Sequence, residues 1–159
     1  MAVDLHELIT PSPKQFAGAD HFAMRTGDTF ALVGRILLGW LFLVFALTNF
    51  TSMAALVGYF TALKAPFPEF TAWAATIAQA VMGISLILGI ATRYGALLAL
   101  VFVAVATALA HRYWEYPAAL QNVQYTNFMK NLAIFGGLML LYVTGAGRFS
   151  IDGWLRKRG

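Results

Sequence analysis

Five polar side chains interrupt the apolar segments of this chain, and their types are those that bind small polar groups. They are Asn49, Gln79, His111, Lys130 and Asn131. Amides, an imidazole and an ammonium together donate and accept hydrogen bonds, and a histidine also takes up a proton near neutral pH. Because a polar side chain in hydrocarbon requires a partner, these residues, which share the outer half of the membrane, form a polar pocket open to the outer side if their helix faces converge.

Each of these residues also has a structural interpretation. His111 either lies at a membrane interface as a helix cap, or it binds a ligand and handles protons. Lys130 either lines the pocket or extends its amine to the lipid headgroups. Gln79, the most deeply placed, forms either a hydrogen bond between helices or a contact with substrate.

A second polar set is predicted at the opposite end of the helices. It consists of Arg35, Arg148, Ser150 and Asp152. Arg35 is expected by default to extend to the headgroups, with an ion pair to Asp152 as the alternative. No metal site is predicted, because the chain has no cysteine and only three histidines. Of these only His111 lies at helix depth, which disfavours a haem with two protein ligands.

Four apolar stretches must position these residues. They cover 30–50, 71–91, 94–110 and 131–146, and the last two are extended by aromatic and methionine residues at 113–114 and 128–129. About 21 helical residues reach roughly 30 Å, the thickness of a bilayer's hydrocarbon core. The sequence predicts an all-α integral membrane four-helix bundle over 30–147, with an N-terminal tail at 1–29 and a basic C-terminal tail at 148–159. Within the N-terminal tail, either a short helix at 4–10 or a disordered segment is expected.

Composition and charge support a membrane protein. The chain is 60% hydrophobic and 11% charged, whereas soluble domains carry about 25% charged residues. The net charge of +4 does not indicate nucleic acid, since most of the 11 Lys and Arg residues lie near helix ends, where anionic lipid headgroups are the expected partners. Their excess on one side predicts that both termini are cytoplasmic and that the connections 51–70 and 111–127 face outward.

The C-terminal stretch Gly145-Ala-Gly-Arg-Phe-Ser-Ile-Asp152 resembles the Gly-x-Gly-Arg-x-Ser-x-Asp ending of the DoxX family of small four-span membrane proteins. Further similarities follow in order along the chain, at Arg35, Gly39, Phe42, Gly83, Gly89, Thr92-Arg93, His111 and Lys130-Asn131-Leu132. The resemblance covers 30–152. It implies a multi-pass protein of the bacterial inner membrane.

Two positions depart from the family pattern. Family members often have Lys near the end of the first span and Glu in the second, where this chain has Asn49 and Gln79. Replacing both charges preserves neutrality, which suggests that the two positions once formed an ion pair between the spans. The departure also argues against proton-coupled chemistry carried over from relatives.

The resemblance also implies a class of function. The family's name comes from a relative tied to thiosulfate:quinone oxidoreduction, and other members resemble membrane partners of redox enzymes. The first hypothesis is therefore an accessory subunit of a larger membrane redox complex, with a quinone as the possible cofactor and no catalysis expected from this chain alone. The alternatives are a purely structural or assembly subunit without a ligand site, and a component of a small-solute carrier.

Overall fold

The computed structural model describes residues 17–158, which are α-helical and contain no β-strand. The helix predicted at 4–10 lies outside these residues. Four long helices and two short ones follow in order, with one turn of 3-10 helix at Tyr113–Glu115. They are α1 (Ala17–Thr51), α2 (Met53–Ala62), α3 (Pro68–Leu88), α4 (Thr92–Ala110), α5 (Ala118–Thr144) and α6 (Ile151–Leu155).

The predicted all-α membrane bundle is confirmed. The segments Arg25–Thr51, Pro68–Leu88 and Thr92–Glu115 are each long and apolar enough to cross a membrane. Helix α5 is the fourth long helix of the bundle, and its first half is more polar because it carries Gln121, Gln124, Asn127, Lys130 and Asn131. Large apolar side chains cover the outside of the bundle, which matches a hydrocarbon surrounding.

The four long helices pack in a closed order. Helix α1 contacts α3 and α5, α3 also contacts α4, and α4 contacts α5. A core of apolar side chains from all four helices fills the centre, including Phe42, Met82, Leu86, Ala99 and Leu138. Helices α1 and α3 approach closely at Gly39 and Gly83, where a Cβ added to either glycine would lie within 3.0 Å of the other's carbonyl oxygen.

Helices α3 and α4 are joined by a tight connection, which makes them antiparallel as the sequence predicts. Gly89 ends α3 with a φ of 68°, and Ala91 precedes α4 with a φ of 47°. The left-handed conformation is easily adopted by glycine and costs energy at alanine. The backbone N–H groups at the start of α4 thereby point toward the C-terminal segment.

Three elements extend beyond the sequence-based boundaries. Helix α1 begins at Ala17, before the first span predicted at 30–50. The connection predicted at 51–70 contains the apolar helix α2, and the connection predicted at 111–127 is mostly helical because α5 begins at Ala118. The start of α5 was missed because the prediction relied on apolar residues, and the first half of this helix is polar. Helical hydrogen bonding does not require apolar side chains.

Candidate polar pocket and C-terminal latch

Asn49 and Gln79 meet between the first two spanning helices. The amide nitrogen of Asn49 on α1 donates a hydrogen bond of 2.8 Å to Oε1 of Gln79 on α3. Gln79 is buried and Asn49 is half-buried. The two positions that depart together from the family pattern are therefore in direct contact, and a neutral hydrogen bond stands where a charge pair would fit.

His111 lies at the end of α4, where the helix stops and its backbone N–H bonds to the carbonyl of Thr107. Its Nδ1 lies 2.8 Å from Oε1 of Gln124 on α5. Because a carboxamide oxygen only accepts, this contact assigns the proton to Nδ1. In the neutral ring Nε2 then carries a lone pair that accepts hydrogen bonds, and in the imidazolium it donates one.

Asn131 and Lys130 lie at the middle of α5. Nδ2 of Asn131 donates to the Thr107 hydroxyl on α4 at 2.9 Å. Nζ of Lys130 is exposed and donates to Oδ1 of Asn127 at 3.1 Å. Asn131 thus connects two helices, while Lys130 keeps its contact within one turn of its own helix.

Two adjoining cavities bring these residues together. The larger, of about 550 Å³, is lined by Asn49, Gln79 and His111 along with the apolar walls of α2, α3 and α4. The smaller, of about 270 Å³, is lined by Gln79, His111, Lys130 and Asn131. Gln79 and His111 line both cavities. We call the five residues Asn49, Gln79, His111, Lys130 and Asn131 the polar pocket.

The walls of the polar pocket are mostly apolar and aromatic. Phe45 and Phe102 line both cavities, and α2 adds Leu56, Tyr59 and Phe60 to the larger one. No Asp or Glu lines either cavity. Among residues 17–158, no three His, Asp or Glu side chains cluster as a metal site would require.

At the other end of the bundle, Arg35 is buried, with 1% of its surface exposed. Its Nη1 donates to the carbonyl of Ala146 and its Nη2 to that of Phe149, both at 2.7 Å. The default expectation that Arg35 extends to the headgroups is wrong, because the chain that follows α5 supplies carbonyl oxygens inside the bundle. Nor does Arg35 form the alternative direct ion pair with Asp152.

Asp152 binds the start of α4. Its Oδ1 and Oδ2 accept hydrogen bonds from the backbone N–H groups of Ala91 and Thr92, at 2.8 and 2.9 Å. Its own N–H donates to the carbonyl of Gly89. Partial burial acts to raise the pKa of Asp152, but the two N–H donors and the charge of Arg156 outweigh it and leave the pKa below its ordinary value.

Ser150 and Arg148 complete this second set. The Ser150 hydroxyl donates to the carbonyl of Gly147 at 2.6 Å and accepts from the N–H of Gly153 at 2.9 Å, which caps α6. Arg148 meets Asp28 of α1 through its backbone N–H, at 2.9 Å, and through its guanidinium, at 3.7 Å. We call Arg35, Arg148, Ser150 and Asp152 the C-terminal latch, because they join the segment after α5 to α1 and to the start of α4.

Sequence reasoning missed several parts of the polar pocket. It did not place α2 as a wall, although Leu56, Phe60 and Leu63 recur at the spacing of one helical face. It also missed Gln124 and Thr107, the partners of His111 and Asn131. No local pattern identifies them, since each is defined by which residue of a neighbouring helix it faces.

Comparisons with known proteins find relatives that are named as membrane proteins. The DoxX family model matches residues 30–112. "Inner membrane protein YphA" of Escherichia coli K12 is 30% identical over 121 residues, covering 76% of this chain and 86% of the relative. "Inner membrane protein YqjF" of the same organism is 32% identical over 131 residues, covering 82% and 95%. No solved structure matches the chain.

Proposed function

The chain belongs to the DoxX family, and on that premise we propose that it is an accessory subunit of a membrane redox complex whose polar pocket holds a quinone headgroup. The observation that carries this proposal is the position of Gln79 and His111. Both line the two adjoining cavities, so both can contact one ligand that fills them. Cavities of a few hundred Å³ with apolar walls and a few polar groups are typical of small-molecule sites.

The hydrogen bonds already present leave suitable groups for a quinone. Oε1 of Gln79 accepts the hydrogen bond from Asn49. The Nε2 group of Gln79 therefore remains as the donor for a ligand carbonyl. Gln124 fixes the proton of His111 on Nδ1, so Nε2 of the neutral ring accepts from a quinol hydroxyl. The Gln79 donor thus suits the carbonyl of the oxidised quinone, and the His111 acceptor suits the hydroxyl of the reduced quinol.

The apolar part of the site suits an isoprenoid tail. Beside Gln79 and His111, the larger cavity is lined by alanines of α3 and by the aromatic side chains Phe45, Tyr59, Phe60 and Phe102. A tail there removes apolar surface from water and leaves the headgroup beside the polar side chains. The same lining offers nothing to a strongly charged cation, which would lose its hydration without a counter-charge from Asp or Glu.

A quinone exchanges electrons with a second redox centre, and we propose that this centre belongs to a larger membrane protein. Helix α1 and helix α5 present large apolar side chains on the outside of the bundle, among them Leu37, Trp40, Leu140 and Val143. These faces are the proposed contact surfaces. Recovery of one redox enzyme with this chain after gentle detergent extraction is the expected result.

We also propose that both termini are cytoplasmic, which places the polar pocket in the outer half of the membrane. The support is the excess of Lys and Arg near the C-terminal latch, at Arg148, Arg156, Lys157 and Arg158. A phosphatase reporter fused after residue 159 should be inactive, and one inserted at Lys64 should be active. The reverse pattern would contradict the orientation without changing the geometry of the pocket.

Thermal stabilisation by a short-chain quinone tests the pocket itself. The wild-type protein in neutral detergent should gain several degrees in melting temperature as the quinone is added. The double substitution Asn49→Leu and Gln79→Leu removes both partners of one hydrogen bond, which favours retention of the fold. It should weaken the apparent quinone affinity by about tenfold, the loss of roughly one hydrogen bond.

Gln121→Leu is the matched control, because Gln121 is exposed on α5 and lines neither cavity. It should leave the quinone response unchanged. His21→Phe serves the same purpose for a His111→Phe variant, since His21 lies exposed on α1. A wild-type protein that shows no shift with ubiquinone or menaquinone analogues would refute the quinone site.

A structural subunit without a ligand is the second candidate, and one contact favours it. The Asn49–Gln79 hydrogen bond joins α1 and α3 within the bundle, and bonds of this kind stabilise helix association in lipid by about 1 kcal/mol. Under this alternative a larger enzyme co-purifies, its activity survives His111→Phe, and no quinone response is seen.

A further inference from the structure

We propose that the cavity between the start of α4 and α6 is a binding site for the phosphate of an anionic phospholipid. This cavity, of about 370 Å³, is lined by Arg93, Tyr94, Asp152, Leu155 and Arg156, together with the backbone that links them. We call it the basic cavity. It lies at the end of the bundle opposite the polar pocket, so the inference stands independently of the quinone proposal.

The residues around the basic cavity are those found where a membrane meets water. Tyr94 is 79% exposed at the start of α4, and Trp154 and Leu155 of α6 are each about half exposed. The guanidinium of Arg158 lies over the Trp154 ring, 3.8 Å from its centroid. Aromatic rings and long basic side chains together mark headgroup depth, which is where a lipid phosphate lies.

The two arginines of the basic cavity keep most of their donors available. Among residues 17–158, Arg93 makes one side-chain hydrogen bond, to the carbonyl of Val143, and Arg156 makes one, to the carbonyl of Asp152. A guanidinium carries five N–H groups in a plane, a geometry that matches two oxygens of a phosphate. Both side chains are exposed, so they have access to a headgroup.

The single carboxylate of the basic cavity does not cancel this charge. The charge of Arg156 acts on Asp152, but this is one carboxylate beside two arginines, and both of its oxygens also accept backbone N–H groups at the start of α4. Two exposed arginines outside the basic cavity have acidic partners. Arg148 is paired with Asp28, and Arg112, at the other end of the bundle, is paired with Glu115 at 3.0 Å.

A lipid titration tests the proposal. Purified full-length protein in neutral detergent is titrated with short-chain phosphatidylglycerol, with phosphatidylcholine of the same chains, and with soluble glycerol phosphate, and its melting temperature is recorded. Phosphatidylglycerol should stabilise the wild-type protein at the lowest concentration. A basic side chain near a headgroup contributes about fivefold in affinity, so Arg93→Gln with Arg156→Gln should raise the midpoint about 25-fold.

Matched variants separate charge from fold. Arg93→Lys with Arg156→Lys keeps both charges and should stay within a few-fold of the wild-type midpoint. Arg25→Gln with Arg112→Gln removes two exposed charges away from the basic cavity and should leave the midpoint unchanged. If the double glutamine variant does not fold, Arg156→Gln alone should raise the midpoint about fivefold.

Three results would overturn the proposal. One is equal stabilisation of the wild-type protein by phosphatidylglycerol and phosphatidylcholine. Another is an unchanged phosphatidylglycerol midpoint in the glutamine variants. The third is glycerol phosphate acting at the same concentration as phosphatidylglycerol, which would identify a soluble phosphate as the ligand and not a lipid.

Discussion

The polar pocket and the C-terminal latch differ in what their side chains bind. In the latch, Arg35 and Asp152 bond to backbone groups of other segments, and Ser150 bonds to backbone groups of its own segment. In the polar pocket, Asn49, His111 and Asn131 bond to other side chains, and the walls enclose cavities. Side chains that bind backbone fix the course of the chain, whereas side chains that bind one another can exchange a partner for a ligand.

The latch and the polar pocket also differ in how tightly their side chains are packed. The latch surrounds Arg35 so tightly that a Cβ on Gly89 would collide with its guanidinium and with Ser150. The polar pocket leaves about 550 Å³ and 270 Å³ of space beside its side chains. We therefore expect substitutions in the latch to act on stability, and substitutions in the polar pocket to act chiefly on ligand binding.

Arg35→Leu should be the most damaging of these changes. It leaves the carbonyls of Ala146 and Phe149 inside the bundle without their charged donor. Hydrogen bonds to charged groups contribute about 1.5 to 3 kcal/mol each, so unfolding in mixed micelles should show a loss of at least about 3 kcal/mol. The control is Arg112→Gln in an exposed pair, expected to cost under about 1 kcal/mol. Equal losses of unfolding free energy in Arg35→Leu and Arg112→Gln would contradict the stabilising role of the latch.

Gly89→Ala should cost about 2 kcal/mol, because alanine resists a φ of 68° and its Cβ would displace the Arg35 guanidinium. Gly136→Ala on α5 is the matched control, since no atom lies within 4 Å of its added Cβ. That variant should be unchanged or more stable by up to about 1 kcal/mol. A Gly89→Ala protein with wild-type stability in the same unfolding assay would contradict the tight packing of the latch.

Asp152→Asn should cost about 1 to 2 kcal/mol, because one oxygen replaces two and the charge at the start of α4 is lost. The pKa of Asp152 is lowered in the folded protein, so its stabilisation is complete above the ordinary carboxyl pKa and disappears as the pH falls through the folded value. Unfolding curves of wild type and variant should differ above about pH 4 and converge below it. If the free energies of unfolding of the two proteins still differed at lower pH, the charge of Asp152 would not be the source of the stabilisation.

Asn49→Lys combined with Gln79→Glu replaces the neutral hydrogen bond with the charge pair that the family pattern contains. Each single change leaves a charge in the bundle without an opposite partner, whereas the 2.8 Å contact allows the double variant to pair. A double-mutant cycle should give a favourable coupling of about 1 kcal/mol. Additive single effects would show that the two side chains act separately.

The sequence predicts the membrane bundle and the depth of each polar residue, but not which helix face carries it. A helix rises about 1.5 Å per residue, so position along a span predicts depth, and on this basis Asn49 and Gln79 are both expected in the same half of the bundle, with Gln79 deeper. Their direct hydrogen bond instead brings them to one level. The direction in which a side chain points depends on how the helices pack. This packing is why Arg35 points inward, to two backbone carbonyls. Helix α2 was missed because its apolar face lies within a segment that otherwise resembles a connection.

The quinone content of the purified protein tests most directly whether the polar pocket binds a ligand. After gentle extraction from the membrane, the wild-type chain and the Gln121→Leu control should carry bound quinone in similar, measurable amounts. Asn49→Leu with Gln79→Leu, and His111→Phe, should carry several-fold less while melting within a few degrees of wild type. Equal quinone in all four proteins, or none in the wild type, would contradict a ligand-binding role for the pocket.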